Sequence, residues 1–210
     1  AFFELVRSGL WEKECRLSQY GFINFEEVLC IAEEQSVVGL VAAGLEHVVD
    51  ATVPKEQFLQ FVGQAIKIEE RNKAMNLFIA EQVDKMQKVG IYTRILKGQG
   101  IAQCYERPLW RSSGDIDFFC SEENFLKAQE FFRPLIVDNF APNHEKARNN
   151  YAQLPPWDIE LHANLFCGLS KRIDEGIKEI QDCIFCKGHV RSWMNGNTQV
   201  FLPEANRDVV

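Results

Sequence analysis

The stretch Gly114-Asp115-Ile116-Asp117-Phe118-Phe119-Cys120 places two acidic residues among branched and aromatic ones. Branched and aromatic residues are typical of β-strands, and we expect a strand from Asp115 to Cys120. Side chains alternate between the faces of a strand, so Asp115 and Asp117 would project from one face, about 7 Å apart. Two carboxylates at this spacing predict a site for one divalent metal ion or for two. The alternative is that both aspartates flank a turn or face solvent at the end of a strand.

A second stretch, Trp157-Asp158-Ile159-Glu160-Leu161-His162, shows the same alternation. In a strand from Trp157 to Ala163, the side chains of Asp158, Glu160 and His162 share one face. If this strand lies beside the first, Glu160 or Asp158 completes a cluster of three carboxylates. Carboxylates at short range raise one another's pKa, which favours a bound cation. Oxygen ligands of this kind select Mg²⁺ or Mn²⁺ rather than zinc.

A glycine-containing turn precedes the acidic strand. Ile91 to Leu96 has the composition of a strand, Lys97-Gly98-Gln99-Gly100 that of a turn, and Ile101 to Tyr105 that of a short helix. A strand that leads through such a turn into a helix presents backbone N–H groups to an anion. Lys97 adds a positive charge suited to phosphate, and further candidate phosphate contacts are Arg111, Ser112 and Ser113. The alternative is a plain connection between a strand and a helix.

The whole chain divides into two halves by its patterns. Up to about residue 90, apolar residues recur at helical spacing, with Asn24 as an N-cap and Gly90 after the last helix. Beyond residue 90, strands and helices are mixed, and Asn195-Gly196 is typical of a hairpin turn. We therefore expect an α+β fold, with an N-terminal helical domain at residues 1–89 and a mixed β-sheet flanked by helices at residues 90–210.

Composition disfavours several classes of function. The 210 residues carry a formal net charge of -7, with 30 acidic and 23 basic residues and no basic run. Long nucleic acids require a basic surface, so we expect none as a partner, although one nucleotide held through a metal ion fits. No apolar stretch reaches the roughly 18 residues of a membrane span, so we expect no membrane partner. Seven cysteines without a recognisable secretory signal favour reduced thiols in the cytoplasm.

Several of these motifs together resemble one protein family. Ile95-Leu96-Lys97-Gly98, then Tyr105, Arg111 and Gly114 to Phe119, resemble the uncharacterised bacterial nucleotidyltransferase family of the polymerase-beta-like superfamily. The segment from Asp158 to His162 is similar to that family's acidic-Leu-His segment, and residues 200–204 match its layout. Because the family continues into further helices beyond this point, we expect the chain to be a piece of a longer protein.

The resemblance implies a small mixed sheet flanked by helices, and transfer of a nucleoside monophosphate from an NTP with Mg²⁺ as the cofactor. It implies Asp115 and Asp117 as catalytic metal ligands, Glu160 as the third carboxylate, and Gly98 with its neighbours as the triphosphate site. Together with the reasoning from the residues, this gives a set of nucleotide-binding candidates and two candidate substrate contacts. They are Lys97, Gly98, Gln99, Arg111 and Ser113 for the nucleotide, and Asp158 and His162 for the substrate.

Two hypotheses of different classes follow. The first is a nucleotidyltransferase dependent on Mg²⁺ or Mn²⁺ that uses an NTP, with ATP as the first choice, and an unidentified small-molecule or protein acceptor. The second is a binding module for a nucleotide or a partner that keeps the fold without catalysis. The second is motivated by one difference, since many superfamily members carry Gly-Ser or Gly-Gly where this chain has Gly98-Gln99.

Overall fold

The computed structural model describes residues 1–135, 149–154, 156–165, 170–185 and 190–204. The chain forms two compact units, one of Ala1–Ala74 with Ala102–Ser113 and the other of Met75–Ile101 with Gly114–Val210. N-terminal helices are followed by a small mixed sheet flanked by helices, so the expected α+β class is confirmed. The division into domains at residues 1–89 and 90–210 stays a prediction.

The first unit is helical. It contains helices α1 (Phe2–Trp11), α2 (Phe25–Glu34), α3 (Val38–Glu46) and the first part of α4 (Lys55–Lys88). Asn24 caps α2 as expected, because its side chain accepts hydrogen bonds from the backbone N–H groups of Glu26 and Glu27. The long helix α4 begins directly after Pro54. It ends before Gly90, which has a φ of 75°.

Two glycines allow helices α1 and α3 to approach closely. A Cβ atom on Gly9 would collide with the carbonyl group of Leu40, and one on Gly44 would collide with the carbonyl group of Leu5. Leu5 is fully buried at this contact, in a core that also contains Val41 and Leu45. The close backbone contact therefore depends on residues without a side chain.

The second unit is built on a four-stranded sheet in the order β1-β2-β4-β3. These strands are β1 (Thr93–Leu96), β2 (Ile116–Cys120), β3 (Asn149–Leu154) and β4 (Trp157–His162). Strands β2 and β4 are parallel, and the two outer pairs are antiparallel. Helices α5 (Gly98–Ala102), α6 (Glu122–Phe132) and α7 (Lys171–Ile184) accompany the sheet, and β5 (Val190–Asn195) and β6 (Thr198–Pro203) form the expected hairpin.

The two faces of this sheet carry different side chains. One face holds a large apolar core to which α4, α6 and β6 also contribute. Its residues from the four-stranded sheet are Ile95, Ile116, Phe118, Cys120, Trp157, Ile159 and Leu161. On the other face, Leu96 and Phe119 pack with Ile184 at the end of α7. The first face anchors the sheet, and the second face also carries the acidic side chains.

Three predicted boundaries differ from the structure, for local reasons. The backbone N–H of Ile91 donates to the carbonyl of Met86, so Ile91 caps α4 and β1 begins only at Thr93. Lys97 has a φ of 47°, which ends β1 and starts α5 at Gly98 instead of Ile101. Strand β2 begins at Ile116, which pairs with Ile159, and Asp115 precedes the ladder.

None of the described helices is both long enough and apolar enough to cross a membrane.

We expect Gly44→Ala to destabilise the protein by about 2 kcal/mol, because the added methyl group has no space at a packed backbone contact. The matched control is Gly63→Ala in the middle of α4, where a Cβ atom would meet nothing within 4 Å. This control should stabilise the helix by up to about 1 kcal/mol. Denaturant unfolding followed by circular dichroism measures both effects, and equal stability of the two variants would contradict the packing of α1 on α3.

Candidate active site

Asp117 and Glu160 lie opposite each other on the parallel strands β2 and β4. Paired residues of neighbouring strands project from the same face, so the two carboxylates point into one region. Asp117 is 2% exposed, whereas the side chain of Glu160 is 20% exposed. The structure therefore brings together two of the three carboxylates that the sequence assigned to one site.

His162 joins these two carboxylates. It follows Glu160 by two residues on β4 and so shares its face. Its Nε2 atom lies 2.8 Å from Oδ1 of Asp117 and 3.2 Å from Oε2 of Glu160. The alternation of β4 identified His162 as a candidate substrate contact, but its position between two carboxylates depends on the pairing of β2 with β4.

The charges of this site affect one another strongly. Burial disfavours the charged form of His162, but hydrogen bonds and charge attraction from Asp117 and Glu160 outweigh it and raise the pKa of His162 to about 8. Lys97 adds a second positive group, with its Nζ atom 3.9 Å from Oδ1 of Asp117. Protein cations therefore lie against the carboxylates, as expected for a site with this much negative charge.

Asp115 and Asp158 lie at the start of the same two strands. Asp115 is exposed, yet protein atoms displace part of the water around its carboxylate, and this desolvation raises its pKa. The negative charges of Asp117 and Glu160 raise the pKa further, while Lys97 lowers it. Asp158 is exposed on β4. The roles of Asp115 as a metal ligand and of Asp158 as a substrate contact stay predictions.

The glycine turn follows β1 as the sequence predicted. Gly98 has a φ of 33°, and a Cβ atom there would lie 3.4 Å from the carbonyl oxygen of Asp115, so the turn passes close to the acidic segment. Gln99 is 2% exposed, and its Nε2 atom lies 3.4 Å from Sδ of Met75. Its side chain is therefore directed into the core, and the accessible cation of the turn is Lys97, with a side chain 53% exposed.

Arg111 and Ser113 belong to the first unit. Nη1 of Arg111 donates hydrogen bonds to the Ser112 carbonyl at 3.2 Å and to Oγ of Ser113 at 3.0 Å. Asn72 on α4 donates to the carbonyl oxygen of Arg111 at 2.7 Å and to that of Leu109 at 2.8 Å, so it fixes this loop. The assignment of Arg111 and Ser113 to the nucleotide stays a prediction.

The donor atoms of this site fit a divalent cation. Among the described residues, one ligand atom each from Asp117, Glu160 and His162 lies within 4.8 Å of the other two. Two carboxylate oxygens suit Mg²⁺ and Mn²⁺, whereas an imidazole nitrogen favours a transition metal such as Mn²⁺ over Mg²⁺. His162 can therefore act as a third ligand or hold the Asp117 carboxylate in place beside the ion. Asp115 lies outside this group of three.

A comparison with known proteins assigns the chain to a family. Residues 23–204 match the nucleotidyltransferase class of proteins. Within that class the matching family is described as uncharacterised nucleotidyltransferase, and because the match spans most of the chain, the protein belongs to this family. The resemblance to an uncharacterised nucleotidyltransferase family is thereby confirmed. No curated protein and no solved structure matches the chain.

The raised pKa of His162 predicts how stability depends on pH in the metal-free protein. A pKa of about 8 in the fold, against 6.5 as the ordinary value, gives a contribution of up to about 2 kcal/mol. This contribution is fully present below pH 6.5 and is lost as the pH rises through about 8. Denaturant unfolding in EDTA across this range measures the loss, and NMR titration measures the pKa directly.

The variant Asp117→Asn should lower the pKa of His162, because it removes the carboxylate at 2.8 Å. Asp158→Asn is the matched control, since Asp158 is an exposed carboxylate on β4, the strand that carries His162. A pKa of His162 that is equal in both variants would show that Asp117 is not its partner.

Proposed function

We propose that the protein transfers a nucleoside monophosphate from an NTP to a hydroxyl or amine acceptor and releases pyrophosphate. The observation that carries this proposal is the convergence of Asp117, Glu160 and His162 within 4.8 Å. The group lies on one sheet face, in a chain that belongs to a nucleotidyltransferase family. Fold alone supports many functions, so the proposal depends on this site.

Asp117 and Glu160 would hold the metal ion, and Asp115 would approach it from the start of β2. Mg²⁺ or Mn²⁺ at this position would neutralise negative charge on the triphosphate and on the departing pyrophosphate. The buried environment of Asp117 strengthens its interaction with a cation, because little water competes there. His162 would fix the orientation of Asp117 through the 2.8 Å contact, or contribute its own nitrogen as a ligand.

Lys97 would bind the phosphates of the nucleotide. Its side chain is half exposed, and its Nζ atom lies 3.9 Å from Asp117, so it stands at the edge of the carboxylate group. The φ of 33° at Gly98 favours glycine at this turn, since residues with a side chain rarely adopt it. With ATP as the first candidate, the triphosphate would lie between the turn and the carboxylates.

The acceptor would attack the α-phosphorus of the NTP. A new bond forms between the acceptor oxygen or nitrogen and this phosphorus, and the bond from the phosphorus to the bridging oxygen breaks as pyrophosphate leaves. The proton of the acceptor passes to a carboxylate. Asp115 suits this role because desolvation and its acidic neighbours raise its pKa, and Glu160 is the other candidate base. Positioning and charge neutralisation supply most of the rate in such reactions.

A second candidate function is a module that binds nucleotide or a partner without catalysis. The observation in its favour is the buried side chain of Gln99, which contacts Met75 and offers no exposed hydroxyl at the phosphate turn. Many members of the superfamily have serine or glycine there, so the triphosphate contact could differ in this chain. The two functions differ in whether pyrophosphate is released.

We expect Asp117→Asn and Glu160→Gln each to reduce pyrophosphate release from ATP by about 100-fold or more, because each removes a charge that stabilises the transition state. Binding of Mn²⁺, followed by electron paramagnetic resonance without nucleotide, should weaken in parallel. The matched control is Glu123→Gln, an exposed carboxylate on α6 paired with Lys127. This control should leave both measurements unchanged.

Calorimetry with ATP and GTP, with and without Mg²⁺, separates the two functions when combined with the release assay. Metal-dependent binding without release, across hydroxyl and amine acceptors, would support the binding module. Release that survives the double variant Asp115→Asn with Asp117→Asn would contradict the catalytic assignment.

Lys97→Gln should weaken ATP binding about tenfold, as expected for one lost hydrogen bond from a charged donor. Binding of AMP should change much less, because Lys97 is assigned to the outer phosphates. The control is Lys85→Gln, an exposed lysine on α4 paired with Glu81. Calorimetry measures the affinity of Lys97→Gln for ATP and for AMP, and the affinity of Lys85→Gln for ATP. An equal loss of ATP and AMP affinity in Lys97→Gln would place Lys97 away from the outer phosphates.

A further inference from the structure

Arg94 lies on the same sheet face as the carboxylates. On β1 it pairs with Phe119 of β2, and Leu96 pairs with Asp117. Paired residues share a face, and Phe119 shares the face of Asp117 because it follows two residues later. Phe119 also pairs with His162 on β4, so Arg94, Phe119 and His162 form one row across the sheet.

The guanidinium group of Arg94 contacts an aromatic ring. Its Cζ atom lies 4.3 Å from the ring centre of Phe185, and this ring in turn lies 4.8 Å from that of Phe119. The Nε atom is buried and, within the described part of the chain, has no hydrogen-bond partner. An aromatic ring attracts a cation but does not satisfy N–H donors.

The other partly buried arginines of the described residues all have acceptors. Arg107 contacts the carboxylates of Glu12 and Glu46, Arg111 donates to Ser113, and Arg191 donates to the carbonyl oxygen of Pro203. Arg94 therefore differs from the arginines whose role is to hold the fold together.

Burial of an unpaired charge is unfavourable. Desolvation lowers the pKa of Arg94, and among the described residues no acidic group opposes this shift. Arginine nevertheless stays protonated at physiological pH, so the side chain keeps a desolvated positive charge and an Nε–H donor that is unpaired within the described residues. A guanidinium group in this condition binds an oxyanion, because a phosphate or carboxylate accepts two of its parallel N–H groups.

The position of Arg94 along β1 indicates which part of a substrate would supply the anion. Arg94 precedes Lys97 by three residues, which separates their Cα atoms by about 10 Å along the strand. Asp117 and Glu160 occupy the row between them. The Cα atoms of Arg94 and Asp117 should lie about 8 Å apart, since they are one strand and two residues distant. The phosphate turn is therefore on one side of the carboxylates, and Arg94 is on the other.

We propose that Arg94 binds an oxyanion, a phosphate or carboxylate group, of the acceptor substrate. This assignment depends on the proposed function, because it takes the Lys97 side of the carboxylates as the nucleotide side. The acceptor would then carry its anionic group several ångströms from the hydroxyl or amine that reacts. Phe185 would support the guanidinium group from its face and leave its edge for the anion.

The test is an NMR titration of the arginine Nε–Hε signals with inorganic phosphate and, separately, with acetate, at constant ionic strength. The Arg94 signal is assigned by its loss in Arg94→Lys. We expect a saturable shift of this signal in the unaltered protein. The signal of Arg133, an exposed arginine paired with Glu130, is the matched control and should show none. Absence of a saturable shift at Arg94 with both anions overturns the proposal.

Two further variants test the contact and its side of the site. The backbone amide of Phe119, the β2 partner of Arg94, reports phosphate binding in variants that lack the arginine signal. In Arg94→Lys, the phosphate concentration at half-saturation of this amide shift should rise about tenfold, because lysine lacks the planar pair of donors. In Arg94→Gln, the affinity for ATP with Mg²⁺ should stay within about twofold by calorimetry, well below the effect of losing a charged hydrogen bond. A tenfold loss would assign Arg94 to the nucleotide and overturn the acceptor assignment.

The two proposals fail in different ways. If the unaltered protein binds no ATP, the proposed function is wrong. The phosphate titration still measures anion binding at Arg94, because it follows the Nε–Hε signal of that residue. If ATP binds and pyrophosphate is released but Arg94 shows no saturable shift, only the inference about Arg94 is wrong.

Discussion

The parallel pairing of β2 with β4 is the constraint on which the candidate site depends. It sets Asp117 opposite Glu160 and Phe119 opposite His162, so that the candidate metal ligands Asp117, Glu160 and His162 meet on one face. The opposite face contributes Phe118 and Leu161 to the main apolar core. A shift of the pairing by one residue would exchange these faces, and the burial of that core therefore fixes the register that assembles the site.

The negative charge of the site is balanced by groups of the protein itself. His162 contacts both carboxylates, and Lys97 approaches Asp117 from the turn. A metal ion would enter this group by replacing or reorienting these cations, so metal binding and the protonation of His162 oppose each other. The contacts with His162 and Lys97 also explain why the carboxylate of Asp117 can be almost fully buried.

Much of the fold could be predicted from local sequence. The Asn24 cap and the hairpin at Asn195-Gly196 depend on neighbouring residues and are confirmed. The boundaries at Ile91 and Asp115 were wrong by one or two residues. At Ile91 a hydrogen bond to Met86 competes with strand pairing, and Asp115 lies beyond the end of the β2–β4 ladder. Neither effect is visible in composition.

For the site, the sequence by itself determined which side chains share a strand face, because alternation follows from backbone geometry alone. It therefore placed Glu160 on the same face as His162. The resemblance to the family predicted Glu160 as the third carboxylate of a metal site. Only the tertiary structure decided that His162 lies between Asp117 and Glu160, that Gln99 is buried, and that Arg94 shares their face. These features depend on which strands are neighbours and in which register, and that is set by the packing of residues distant in sequence.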